Sequence, residues 1–167
     1  LRYGVGYDYF NYEYNFNSSY YESNFEILYS VLVYVVKVLF DEFFYVTFIM
    51  AFISNVFFYL GIKKRNIKNE YLILSLFIFV TFVLSVHMNL MRQSVAVSIF
   101  FYCSTFIKER NFKKFLLFII LGAGFHYSIL FLIPLYFIPN LRISKTFFLI
   151  SVIISYTLVY FKIAPIL

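Results

Sequence analysis

Two side chains in this sequence of 167 residues have the type and setting to do chemistry, Arg92 and His126, and a third, Asp8, has a setting worth noting. Arg92 stands in NLMRQSVAV, between apolar runs. An arginine against lipid costs about 3 kcal/mol unless it faces protein, water or an anion. Its guanidinium stays charged and offers a planar fork suited to phosphate oxygens; the alternative is an interfacial arginine that snorkels to the headgroups. His126 lies in GFHYS, inside an apolar stretch. Imidazole suits proton transfer near neutral pH; the alternative is a ring hydrogen-bonded to a neighbouring helix. Gly122 and Gly124 before it permit close helix approach. Asp8, in YGVGYDYF, follows Gly4 and Gly6, which suggest a tight turn. Judged by itself it reads as a solvated loop aspartate, and Glu22, Asp41 and Glu42 as loop or interfacial charges.

Other chemistries find no support. The sequence carries no phosphate-binding loop, dinucleotide fingerprint, GxSxG or HExxH. The single cysteine, Cys103, lies in an apolar run and reads as an inert core thiol. The net charge of +6 resides in two short loops, Lys63 to Lys68 and Lys108 to Lys114, rather than on a face suited to nucleic acid, so no nucleic-acid partner is expected. IKKRNIK at Ile62–Lys68 and IKERNFK at Ile107–Lys113 echo each other, and convergent loop chemistry explains this better than a repeat, because the flanking segments differ.

The elements that must position these residues are membrane helices. The chain is 63% hydrophobic and 13% charged, against roughly 25% charged in a soluble domain. We expect an all-α, polytopic transmembrane helical bundle of about 5–6 hydrophobic helices. Residues 1–24 read as a loop with short helical turns, which the family resemblance described below implies to be extracytoplasmic. Residues 25–40, with Ser30 and Lys37, read as a short or re-entrant helix, because about 24 Å of helix falls short of a 30 Å hydrocarbon core. Membrane helices are expected over 43–61, 71–87, 93–107, 115–138 (with Pro134 able to kink it) and 146–161. The basic loops belong in the cytoplasm by the positive-inside rule. That orientation carries His87, Asn89 and Arg92 to the outer side and sets His126, about 18 Å of helix from Lys114, at a similar depth. The first residue is Leu1 and the last lies just past an apolar run, so the chain reads as a fragment, with spans missing at its ends; the family resemblance described below implies that such a fragment is inactive.

Taken together, the motifs resemble a family. LRYGVGYDYFNY is similar to the LRYxVGTDxxxY stretch of EpsG-type exopolysaccharide polymerases, which share their role with the Wzy O-antigen polymerases. ESNF at Glu22–Phe25 resembles that family's acidic-Pro-Gly-aromatic stretch, and NLMRQSVAV its NxxRQxxA motif. FKKFLLFIILGAGFHYSILFLIPLYFI resembles its basic loop, FHxSA and Pro-containing span. Order and spacing agree from Leu1 to Ile138. Tyr7 departs from the usual Thr, Ser23 and Asn24 from Pro-Gly, and Ile129 from a small residue. The resemblance implies a metal-independent membrane glycosyltransferase, without a cofactor, that polymerises undecaprenyl-pyrophosphate-linked oligosaccharides at the outer face of the bacterial plasma membrane for exopolysaccharide or capsule. Membrane lipids and other polysaccharide-assembly proteins would be its partners. It further implies that Arg92 steadies the leaving pyrophosphate, that His126 or Asp8 is the base, and that Arg2, Tyr12, Asn89 and Gln93 bind substrate. Competing readings are a transporter or flippase of lipid-linked sugars, in which Arg92 only binds, and a membrane acyltransferase of polysaccharide using His126. A transporter would show paired broken helices, and an acyltransferase an acid near its histidine; the sequence shows neither, with no acidic residue within ten positions of His126.

Overall fold

The computed structural model describes residues 9–18, 25–65, 71, 90–138, 149, 150, 153 and 157. Every regular element among them is helical: α1 (Tyr9–Asn17), α2 (Ile27–Leu39), α3 (Phe43–Lys64), α4 (Met91–Cys103), α5 (Thr105–Lys108), α6 (Phe112–Ala123) and a 3-10 helix (Tyr127–Tyr136). These belong to a compact unit that ends at Tyr136. In the second unit, from Phe137, the helical positions Leu149, Ile150 and Ile153 are exposed, and the Thr157 hydroxyl donates to the Ile153 carbonyl at 2.8 Å. The expected helix over 146–161 otherwise falls outside the described residues, as does 71–87 apart from Tyr71.

Among the described residues α3 is the helix long and apolar enough to cross a membrane. Its 22 residues reach about 33 Å. Phe43, Val46, Thr47, Met50, Ser54, Phe58 and Gly61 form its buried stripe, at the spacing of one helical face. The opposite face is not polar: Phe48, Phe52 and Tyr59 stand exposed, and Phe44, Phe48 and Phe52 stack in series. A helix that is apolar all round is stable only when its outer face also avoids water. Lys63 and Lys64 close the last turn, where they suit the negative end of the helix dipole.

Helix α4 packs against both α3 and α6, and its buried residues are mostly small or branched: Ser94, Val95, Ala96, Ser98 and Ile99. Their size permits close approach, and the hydroxyls of Ser94 and Ser98 donate to the carbonyls of Met91 and Val95, each at 2.7 Å, so neither is an unsatisfied polar group. Ser54 meets the Ser94 carbonyl, Phe58 stacks on Phe101, and Arg65 reaches the Phe101 carbonyl and Ser104. These pairs advance together, so α3 and α4 run parallel.

The segment 115–138 differs from the single helix expected of it. Asn111 caps α6 by accepting from the Lys114 N–H at 3.1 Å, and the helix ends at Ala123. The chain turns through Gly124–His126, and the 3-10 helix folds back, bringing the Tyr136 ring to 5.0 Å from Phe112 and 5.2 Å from Phe115. The result is a helical hairpin with His126 at its tip. Its arms match: about 18 Å of α-helix against about 20 Å of 3-10 helix. Two close approaches allow the turn. A Cβ on Gly124 would meet Leu28 at 2.5 Å, and one on Gly122 would run into the end of Ile129.

Residues 9–17, within the segment expected as loop with short helical turns, form a helix of nine residues because Tyr9 and Phe16 share a buried face and pack edge-on or tilted against Phe43. That period is carried by aromatic residues in a polar stretch. The helix expected over 93–107 begins at Met91 and breaks at Ser104, which puts Arg92 in its first turn rather than in a polar loop. Between α2 and α3, Asp41 takes a left-handed φ of 52°, which aspartate tolerates better than most residues.

Candidate functional site

The first backbone N–H groups of any helix lack partners within it. In α2 those of Leu28 and Tyr29 donate to the Gly124 carbonyl at 2.9 and 3.2 Å. The tip of the α6 hairpin thus caps α2. Glu26, at the N-cap position, makes no side-chain cap bond, so its carboxylate is available elsewhere. It is buried, and it serves two cations or potential cations at once. Oε2 pairs with the Arg92 guanidinium, while Oε1 lies 2.9 Å from His126 Nδ1 and accepts from the Tyr127 N–H at 3.3 Å.

Arg92 is held on further sides. Its Nε donates to the Tyr12 hydroxyl at 2.8 Å, and its guanidinium carbon lies 4.8 Å from the Phe25 ring centre, 5.3 Å from Tyr12 and 5.6 Å from Tyr29. An aromatic box of this kind steadies a cation. The box is self-supporting: Phe25 and Tyr12 both pack edge-on or tilted against Tyr29. Since an ionised carboxylate only accepts hydrogen bonds, Glu26 places the proton of a neutral His126 on Nδ1. Nε2 is then left to accept a proton, and among the described residues it has no protein partner.

Arg92 and His126 remain partly open while Glu26 does not. Both line a cleft of about 90 Å³ with Tyr12, Leu90, Met91 and Gln93. Of the residues singled out from sequence, Tyr12, Arg92, Gln93 and His126 therefore meet. Arg2, Asp8 and Asn89 lie outside the described residues, as does Glu22. Sequence reasoning missed Glu26, which lies within 25–40. The available signal is a carboxylate at the threshold of an otherwise apolar helix. The missed pairing also removes the sequence argument that His126 lacks a nearby acid.

The opposite end of α4 is basic. Lys64 pairs with Glu109 at 3.0 Å and sits 3.5 Å above the Phe106 ring, with Lys114 at 5.8 Å from the same ring. The Arg65 fork bonds to the carbonyls of Gly61 and Phe101 and to Ser104 Oγ, which ties the ends of α3 and α4 together. The two echoing basic segments thus meet at one end of the bundle, and the Arg92–Glu26–His126 cluster lies toward the other.

Helices throughout the described residues, one of them span-length with a largely apolar outer face, and a buried charge cluster set apart from a basic end have the character of a helical membrane protein. The EpsG family model matches residues 1–167, and the chain belongs to that family of membrane proteins, which is tied to exopolysaccharide polymerisation. No curated protein and no solved structure matches it.

Proposed function

We propose that the chain belongs to a polytopic plasma-membrane polymerase of bacteria that joins undecaprenyl-pyrophosphate-linked oligosaccharide units into exopolysaccharide or capsule at the outer face. The observation that carries this reading is that one buried carboxylate holds Arg92 and His126 at the rim of the same cleft. Glycosyl transfer from a pyrophosphate needs a fixed cation where negative charge grows and a base where a hydroxyl loses its proton. Those are the two groups present. A sugar hydroxyl of one unit attacks the anomeric carbon of another, and the new C–O bond forms as the bond to pyrophosphate breaks. The pyrophosphate leaves with the bonding electrons and remains on its lipid, facing Arg92. The hydroxyl proton passes to His126 Nε2. Tyr12 and Gln93 orient the substrate from the cleft wall, while the roles of Arg2, Asn89 and Asp8 rest on the family resemblance. The cleft takes the reacting groups, not a whole oligosaccharide, which extends beyond it.

The orientation supporting this reading has the basic end in the cytoplasm. In it, α3 spans the bilayer, α1 and α2 occupy the outer leaflet, and the Phe112–Tyr136 hairpin enters from the cytoplasmic side to present His126 at its tip. The test is polymerisation in vitro by the complete protein with a lipid-linked repeat unit. Arg92→Ala is expected to lose about 10²–10³-fold in rate, and His126→Ala about 10²–10⁴-fold. Normal chain lengths from both variants would refute the assignment. The Glu26–His126 pair favours one rival, a polysaccharide acyltransferase. In that case the same variants would lose acyl transfer and keep chain length. A flippase would tolerate His126→Ala.

A further inference from the structure

Glu26 is the buried charge that the proposed chemistry does not consume. Its carboxylate is divided between Arg92 and His126, on two elements that approach from different parts of the chain. Among the described residues, the cluster is also met by the Tyr12 phenol, which accepts from Arg92, by the Tyr29 ring beside the guanidinium, and by the Tyr127 backbone N–H, which donates to Glu26 and does not titrate. With no substrate bound, His126 shares the carboxylate with the Arg92 guanidinium. A pyrophosphate in the cleft competes with Glu26 for the same guanidinium fork. The more of the fork the pyrophosphate takes, the more of the Glu26 charge acts on His126 alone.

We propose that Glu26 is a positioning residue that couples donor binding to base activation: the lipid-linked pyrophosphate draws Arg92 away from it, and the released carboxylate makes His126 a stronger base. The inference rests on the polymerase reading and deepens it. It gives the enzyme order of events, since the hydroxyl-activating base reaches full strength only once a donor is in place.

The coupling has a signature in the unmutated protein. The pH dependence of kcat/KM for the donor reports the free enzyme, and that of kcat the donor complex. A base acts when deprotonated, so activity rises with pH along the acid limb, and a stronger base places that limb at higher pH. The limb of kcat is therefore expected at higher pH than the limb of kcat/KM. A pyrophosphate diester has no group of its own titrating near neutrality. Glu26→Gln keeps the shape and removes the charge, so the gap between the limbs is expected to shrink and both limbs to move to lower pH. The same variant is expected to lose about 10²-fold or more in kcat, with KM for the donor unchanged or lower, because Arg92 no longer has a competitor. Glu26→Asp should restore part of kcat.

A purely structural Glu26 gives the reverse split: KM rises because Arg92 is misplaced, and the gap between the limbs persists. Coincident limbs in the unmutated protein overturn the coupling, even if Glu26→Gln fails to fold. Failure of the polymerase reading looks different, since Arg92→Ala and His126→Ala would then polymerise normally. Loss of activity in those two variants, with Glu26→Gln keeping wild-type kcat and limbs, sinks the Glu26 proposal alone.

Discussion

Arg92 uses its guanidinium in several directions, toward the Glu26 carboxylate, the Tyr12 hydroxyl and the surrounding rings. A lysine in its place keeps a charge but has no planar fork, so it serves one acceptor well at a time. Tyr12→Phe isolates one of those directions, because it keeps the ring and deletes the hydroxyl. A hydrogen bond to a charged group is worth about 1.5–3 kcal/mol, so donor affinity is expected to weaken by about tenfold or more. Thermal stability is expected to fall by up to about 1.5–3 kcal/mol, since the lost bond lies within the protein, while the ring contacts to Phe25 and Tyr29 survive. Titration of a lipid-linked pyrophosphate against both proteins checks this; equal affinities would remove Tyr12 from the site. At this scale Arg92 and His126 were readable because charge inside an apolar run is conspicuous. Glu26 was not, because its partners lie 66 and 100 residues away and nothing local announces them. A carboxylate beside the start of a helix has a local explanation as a cap, and only the tertiary contact with Gly124 shows that the capping is done otherwise.

The elements place the residues through one junction, where the tip of the α6 hairpin meets the start of α2. Gly124 supplies both the carbonyl that caps α2 and the space that Leu28 fills. A methyl at Gly124 would press on Leu28 Cγ and Cδ1 at 2.5 Å and on its Cβ at 3.1 Å. The stem of Leu28 cannot swing clear without moving α2. Gly124→Ala is therefore expected to cost about 1–3 kcal/mol and to part Glu26 from His126, lowering activity more than stability alone would require. Gly122→Ala meets mainly the far end of Ile129, which can rotate, so its cost should be smaller. Thermal unfolding in detergent, paired with activity at a temperature where both variants are folded, separates the two. Equal effects would show that the junction does not position the site. Hydropathy marks apolar lengths, and α2 and α3 fall close to the apolar segments 25–40 and 43–61. It cannot say whether an apolar run of hairpin length crosses a bilayer once or turns within it, because both outcomes bury the same residues. The choice at 115–138 was made by the Gly124–His126 break and by the return of Tyr136 to Phe112 and Phe115.

Across the whole molecule, the depth of the site follows from the parallel run of α3 and α4. Ser54 lies level with Ser94, just inside Arg92, and from Phe43 to Ser54 is about 16 Å of helix. With α3 across the bilayer, Arg92 would lie well below the surface, and its ion pair with Glu26 and its aromatic neighbours supply the protein contacts that make an intramembrane arginine tolerable. A lipid-linked pyrophosphate sits at headgroup level, so reaching Arg92 requires either a dip of the headgroup or a locally thinned bilayer; the short α1 and α2 beside the site suit both. The orientation can be tested without removing any native thiol, because Cys103 is the one cysteine in the sequence and is buried. Asn17→Cys, on the exposed side of α1, is expected to react with a membrane-impermeant maleimide in intact cells. Lys113→Cys, exposed at the basic end, should react only after the membrane is opened. Labelling of both from the same side would mean that the hairpin does not enter from the cytoplasm, and the outer-face chemistry built on Arg92 and His126 would fall with it.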